Sequence, residues 1–284
     1  MPNEGDQLLN AMLSGDMFSM KLQKVLNQMF VDDAKQKAQN DPREGLHASS
    51  ILAPFTGVTR LCFREHVLNK FYLPIHDLLA PDTLRTFLVG WYLHLMWQRL
   101  FKQSGYAVEV EKTRIDEKWG VYHTPDVIAR FPHLSGNHLY IIEIKTMNAR
   151  SFEKAVELSD PRRSHEGAFK QAQLYMYLTN VPEAVILLHN KNTSEFVTFT
   201  IQLDKVFIQP YIDRLDILVQ LYERYAQERR LPKRVCEHSD TPRAKRCPMR
   251  DVCWVANDAE RQTCLRGTLV NPTQRNVSLT HEEE

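Results

Sequence analysis

The chain has 284 residues, 43% hydrophobic and 25% charged, with a formal net charge of +1. This is the balance of an ordinary globular protein with room for one large domain, or a domain plus an appendage. No apolar run approaches the ~20 residues of a membrane span, and the acid-bearing start MPNEGDQLLN lacks the pattern of a signal peptide, so a cytoplasmic setting is expected.

Residues 6–40 read as one or two amphipathic helices, since LLNAML and MFSMKLQKVLNQMF carry apolar residues at spacings of three and four. They make residues 1–45 an N-terminal helical appendage, whose methionines suit core packing better than a partner groove. Thr59 is placed to cap a helix running to about Asn69, with Cys62 near its start. Pro81-Asp82-Thr83 opens a helix to about Lys102 that is apolar nearly all round and therefore expected to be buried. Gly90 and His94 share one of its faces, four residues apart.

Residues 106–115 alternate (YAVEVEKTRI) and read as a strand. The stretch from Tyr122 to Thr146 then carries two apolar runs around the turn signal Ser135-Gly136-Asn137. The first run bears Asp126 after Pro125, and the second bears Glu143 and Lys145 in Ile141-Ile142-Glu143-Ile144-Lys145. Alternation puts Glu143 and Lys145 on one side of a strand and Ile142 and Ile144 on the other. A hairpin would bring Asp126 to the same rim and, with residues 106–115, complete a three-stranded antiparallel meander. Two carboxylates beside an ammonium suit a hard divalent cation with a charge-stabilising lysine. His94 could complete such a site for Mg²⁺ or Mn²⁺ if its helix packs beside the hairpin.

Further along, residues 152–158 read as a short helical or ordered loop segment and Asp160-Pro161-Arg162-Arg163 as a basic break. Residues 166–179 form an amphipathic helix with Gln171 and Tyr175 on one face, able to hold a phosphate or fix a lysine by hydrogen bonds. Residues 184–189 and 195–203 read as two strands, and residues 205–229 as a long helix with Pro210 near its start. Residues 224–250 hold nine Lys/Arg against three Asp/Glu, a surplus that could follow a phosphate backbone or simply solvate a helix end and loop. Residues 268–284 read as a disordered tail.

An odd count of five cysteines argues against a disulfide framework, and four of them fall within 29 residues near the C-terminus. Thiolates in such a cluster can ligate zinc or an iron–sulfur centre. Cys236, Cys247 and Cys253 would take either Cys62 or Cys264 as a fourth ligand, and spacing alone favours the local Cys264.

Together these motifs resemble the PD-(D/E)xK nuclease superfamily, in its RecB-type branch with an iron–sulfur cluster, similar to the CRISPR-associated RecB-like exonucleases and the AddB nuclease domain. The resemblance spans roughly residues 46–256. It implies an α/β (α+β) fold with a restriction-endonuclease-like core: a central mixed sheet flanked by helices, an N-terminal helical appendage, and a C-terminal cysteine clamp. The corresponding boundaries are 1–45 for the appendage, 46–235 for the nuclease core, 236–267 for the clamp and 268–284 for the tail. His94 in GWYLH matches the family's metal-ligating histidine, Asp126 its central acid, Glu143 and Lys145 its E-x-K pair, and Gln171 and Tyr175 its Q-x-x-x-Y helix.

The resemblance implies a Mg²⁺- or Mn²⁺-dependent deoxyribonuclease, expected to be an exonuclease, serving DNA recombination, repair or processing. His94, Asp126, Glu143 and the carbonyl of Ile144 would hold the ions, Lys145 would orient water or stabilise charge, and Gln171 and Tyr175 would position Lys145 or the DNA backbone. Cys62, Cys236, Cys247 and Cys253 would hold a structural 4Fe–4S cluster, with zinc the lesser alternative. Ten residues separate Cys236 from Cys247, where the family has two, and residues 1–45 match nothing in it. DNA, as single strands or duplex ends, is the expected partner, with the N-terminal helices able to dock a protein. Compact size suggests a phage- or mobile-element-encoded nuclease. The competing expectation is a DNA-binding or assembly module of a recombination or CRISPR-adaptation complex, acting mainly through partners.

Overall fold

The structure is a computed structural model that describes residues 21–29, 32, 46–53, 60–71 and 81–254. Most of the appendage, Thr59, Cys264 and the tail lie outside those residues. The chain divides into two compact units, Met1–Arg43 with Asp77–Trp91, and Glu44–His76 with Tyr92–Glu284. In the first, helix α1 (residues 21–29) presents Leu22, Val25, Leu26 and Met29 at helical spacing, all exposed, and its Asn27 accepts a hydrogen bond from Arg85. No helix among the described residues is long and apolar enough to cross a membrane.

The second unit is a mixed α/β fold. Its main sheet has five strands: β2 (Ala107–Val110), β5 (Val127–Arg130), β6 (Leu139–Met147), β7 (Glu183–Asn190) and β8 (Phe196–Gln202), in that spatial order. Within this sheet only β6 and β7 pair in parallel, in a register that sets Glu143 opposite Ile186 and Lys145 opposite Leu188. A parallel pair requires a crossover. Here it is helix α4 (Ala149–Leu158), a one-turn helix at Pro161–Ser164, and helix α5 (Glu166–Thr179). A smaller sheet of β1 (Leu46–His47), β4 (Val121–His123) and β3 (Arg114–Asp116) lies in the order β1-β4-β3.

The pattern of β6 explains its central place. Its Ile142 and Ile144 join Val127, Ala129 and Leu187 in one apolar cluster, against which Trp97 and Phe101 pack. Those two come from helix α3 (Pro81–Gln103). Ile141 belongs to the main core on the other side, with Ile128, Ile186 and Leu188, and with Ala168, Ala172 and Met176 of α5. The buried alanines of α5 let its backbone approach the sheet closely. Helix α6 (Lys205–Glu228) adds Ile208, Leu215 and Leu218 to the same core. Asp204 caps α6, its side chain accepting from Phe207 N at 2.9 Å.

Three sequence expectations change. The strand at 106–115 is two strands in two sheets, because Glu111 takes a positive φ of 46° and donates its N–H to Asp126 O, turning the chain between β2 and β3. The turn at Ser135–Asn137 includes a helical turn, Pro132–Ser135, closed by Gly136 at φ 63°. Helix α3 is not buried: Phe87, Val89, Trp91, Tyr92, Met96 and Leu100 are exposed, since only part of its surface meets apolar partners.

The C-terminal segment packs on helix α2 (Phe63–Phe71) through a third cluster of Val67, Leu68, Phe71, Tyr225, Met249 and Val252. Arg64 ties it down, donating to Pro232 O at 2.9 Å and to Cys253 Sγ at 3.2 Å. Cys62, Cys236, Cys247 and Cys253 line one cavity there, and all four are free thiols. The expected iron–sulfur cluster, its zinc alternative and the cysteine clamp are nevertheless overturned: among the described residues, no group of three or more His, Cys, Asp or Glu is placed to hold a metal ion. The chemistry of the thiols agrees. Burial pushes Cys62 up against the lowering effect of the Glu65 backbone N–H, and pushes Cys247 up to about 12 with the Glu65 charge adding to the rise, so both sulfurs keep their protons in this fold. Cys253 Sγ is already occupied by Arg64.

Candidate active site

The site is assembled where β5, β6 and α5 meet. Asp126 precedes β5, and its Oδ2 accepts the backbone N–H of Ile144 at 2.7 Å, which locks this acid to the middle of β6. His94 of α3 comes to the same acid from another element, with Nδ1 3.8 Å from Asp126 Oδ1, beyond hydrogen-bond distance. Their side chains are 22% and 15% exposed respectively, so both reach solvent.

Glu143 is fully buried, and its Oε1 lies 2.5 Å from Lys145 Nζ. Lys145 is 25% exposed. Its Nζ donates to Gln171 Oε1 at 3.2 Å, and Gln171 Nε2 donates to Tyr175 Oη at 2.9 Å. Tyr175 is itself buried and hydrogen-bonded to the backbone of Thr124. The result is a continuous polar chain from Thr124 through Tyr175, Gln171 and Lys145 to Glu143. It crosses between α5 and β6 and fixes the lysine from two directions.

The electrostatics follow from burial. Loss of solvent pushes the Glu143 carboxyl up to about 7, with Lys145 opposing the rise and Asp126 adding to it. For Lys145, burial favours the neutral amine, but the charges of Glu143 and Asp126 outweigh it and hold the group above its ordinary range. Tyr175 is raised by burial and by the Glu143 charge, so its hydroxyl keeps its proton.

The structure therefore brings His94, Asp126, Glu143, Lys145, Gln171 and Tyr175 into one neighbourhood, with Ile144 contributing its backbone N–H. It does not arrange His94, Asp126, Glu143 and Ile144 as ligands of Mg²⁺ or Mn²⁺. No group of three or more His, Cys, Asp or Glu among the described residues is placed to hold a metal ion. One Asp126 oxygen accepts the Ile144 N–H, one Glu143 oxygen is paired with Lys145, and His94 stands 3.8 Å from Asp126. One neighbour escaped the sequence reading. His165, immediately before α5, is close enough for the Lys145 charge to act on it. Its position two residues past the Arg162-Arg163 break was the one available signal.

No protein-family model and no curated protein matches the chain. Among solved structures, it is similar to the alkaline exonuclease LHK-Exo from Laribacter hongkongensis, at 16% identity and a TM-score of 0.38, over 47% of this chain and 66% of that one. The chain thus spans just under two thirds of that exonuclease. LHK-Exo in complex with dAMP aligns at 13% identity and a TM-score of 0.44, over 63% of this chain and 88% of that one. The structure of SSO0001 aligns at 14% identity and a TM-score of 0.41, over 82% and 96% of the respective chains. Similarity at this level assigns neither activity nor site residues.

Proposed function

We propose that the chain is a deoxyribonuclease that hydrolyses phosphodiester bonds at the β5–β6–α5 site. The observation that carries this reading is the buried polar chain that presents a single ammonium, Lys145, beside two solvent-reaching groups, Asp126 and His94. In this reading Lys145 Nζ meets the scissile phosphate and offsets the charge that builds on its oxygens during attack. Asp126 and His94, at the rim, orient the attacking water and accept its proton as its oxygen bonds to phosphorus, and that proton passes to the departing sugar oxygen as the ester P–O bond breaks. Glu143 and Gln171 act on Lys145 rather than on the substrate, holding its rotamer and its charge. The sequence resemblance to the PD-(D/E)xK superfamily supports the choice of DNA as substrate.

The test is a labelled linear duplex and a labelled single strand incubated with purified protein, in parallel with Mg²⁺, with Mn²⁺ and with EDTA. Shortened or nicked product is expected from the wild type, and Lys145→Ala is expected to lower its rate by about 10²–10³-fold, as for loss of one charge-stabilising donor. Cleavage that survives both Lys145→Ala and Asp126→Ala sinks the reading. Binding without any cleavage would favour a DNA-binding module.

A further inference from the structure

The basic surplus of residues 224–250 plays no part in the reaction above. The structure gathers part of it, with Arg64 of α2, around one cavity of about 350 Å³, lined by Arg64, Arg234, Arg243 and Arg250 and by a single carboxylate, Glu65. Glu65 stands 3.7 Å from Arg243. The other guanidiniums are fixed by neutral acceptors. Arg64 Nη2 and Arg234 Nη2 both donate to Cys253 O, at 3.4 Å and 2.8 Å, so two like charges are drawn to one oxygen. Arg234 Nε donates to the same carbonyl at 3.2 Å, and its guanidinium lies 4.5 Å from the centre of the Trp254 ring. Arg250 Nε donates to Ser239 O at 2.9 Å. Among the described residues no carboxylate pairs with Arg234 or Arg250, and Arg234 Nη1 and the two Nη groups of Arg250 meet no acceptor. Arg64 is 8% exposed, so its charge sits largely out of water.

Carbonyls hold a guanidinium in place without cancelling its charge. Three such groups at one cavity repel one another, and an anion relieves that repulsion. Cys62 and Cys247, which share the cavity, keep their protons and add no opposing charge. Planar guanidiniums already fixed in orientation suit an oxyanion, which takes paired N–H donors. Lys233, Lys245 and Arg246, beside the lining residues in sequence, are exposed, which suits a ligand with repeated charges better than a single ion. We propose that Arg234 and Arg250, backed by the buried charge of Arg64, bind a phosphate of a nucleic-acid strand, with Lys233 and Lys245 meeting its neighbours. The choice of polymer rests on the phosphodiester reading, and the site would hold the strand by its backbone, whatever its sequence.

The test compares the wild type with two double variants. Arg234→Gln with Arg250→Gln keeps side-chain donors and removes both charges, whereas Arg234→Lys with Arg250→Lys keeps the charges. Melting temperature is measured, and binding of a labelled single strand and a labelled duplex is followed by fluorescence anisotropy across a salt series. The Gln pair is expected to bind about ten-fold more weakly at 0.1 M salt, with a log–log salt slope shallower by about 1–2, while the Lys pair keeps the wild-type slope. If the Gln pair melts lower, the exposed pair Lys233→Gln with Lys245→Gln carries the test, with the same loss of slope expected. A wild-type slope in all Gln variants overturns the proposal, and so does a wild type that binds neither strand. Inorganic phosphate is tested for raising the wild-type melting temperature above that in chloride of equal ionic strength. A rise that the Gln pair loses, with oligonucleotide binding unchanged in that pair, makes the ligand a free anion and overturns the strand assignment. A wild type that shows the slope difference but cuts neither substrate supports this site and defeats the phosphodiester reading alone.

Discussion

Glu143 is the residue whose environment has the clearest physical consequence. Its ordinary value of 4.5 rises to about 7 in the folded protein, chiefly through burial. Between those two values the native state holds a proton that the unfolded chain has released. This contribution to stability is therefore complete below pH 4.5 and is lost as the pH rises through about 7, on the order of 3 kcal/mol in all. Glu143→Gln is expected to flatten the fall in stability between pH 5 and pH 7.5, as read from urea midpoints at the two pH values. An unchanged slope would mean that Lys145 neutralises the carboxylate completely. At this scale the sequence was legible where geometry is periodic. Alternation along a strand makes Glu143 and Lys145 neighbours, and a spacing of four makes Gln171 and Tyr175 neighbours. It was silent where one residue meets an element far away in the chain, as when Asp126 receives Ile144 N–H or His165 comes near Lys145.

At the level of elements, α6 is tied across the core by Arg214, which donates to the carbonyls of Ile51 and Ala53, both at 2.6 Å. These carbonyls close the short 3₁₀ helix Ala48–Leu52, so a residue in the second half of the fold satisfies a turn near its start. Arg214→Met keeps much of the volume and removes both donors. It is expected to cost about 2–4 kcal/mol in urea unfolding, since it strands buried carbonyls. An effect below ~1 kcal/mol would mean that water replaces the guanidinium. Element boundaries were readable where apolar periodicity is clear, as at α5 and α6. They were misread where a local backbone turn decides: Glu111 splits a run of alternating residues that looks continuous. The apolar composition of α3 predicted burial, but composition cannot tell which side of a helix finds a partner, and this helix leaves Tyr92, Met96 and Leu100 exposed.

Across the whole second unit, the cysteine-bearing segment contributes packing, not metal. Met249 and Val252 are fully buried against Val67, Leu68 and Phe71 of α2 and Tyr225 of α6. Met249→Ala is expected to destabilise the protein by about 2–5 kcal/mol, the range for emptying a buried site of this size. Cys236→Ser, at a half-exposed position, is expected to shift the melting temperature little. Equal losses from the two substitutions would argue that the thiols share a structural role after all. Clustered cysteines line one cavity of the fold, but their spacing could not reveal that Arg64 would donate to Cys253 Sγ or that the Glu65 charge would act on Cys247.

The Arg64–Cys253 contact spans 189 positions of the chain, and this has a consequence for how the protein is made. During translation, α2 is made well before Tyr225, Met249 and Val252, which follow it by about 150 residues or more. At ~5–20 residues per second, the ribosome leaves its apolar side uncovered for on the order of ten seconds or more. The nascent chain is thus a better client for chaperones than the finished protein, and slowing synthesis over residues 72–225 would lengthen that window without altering the folded product.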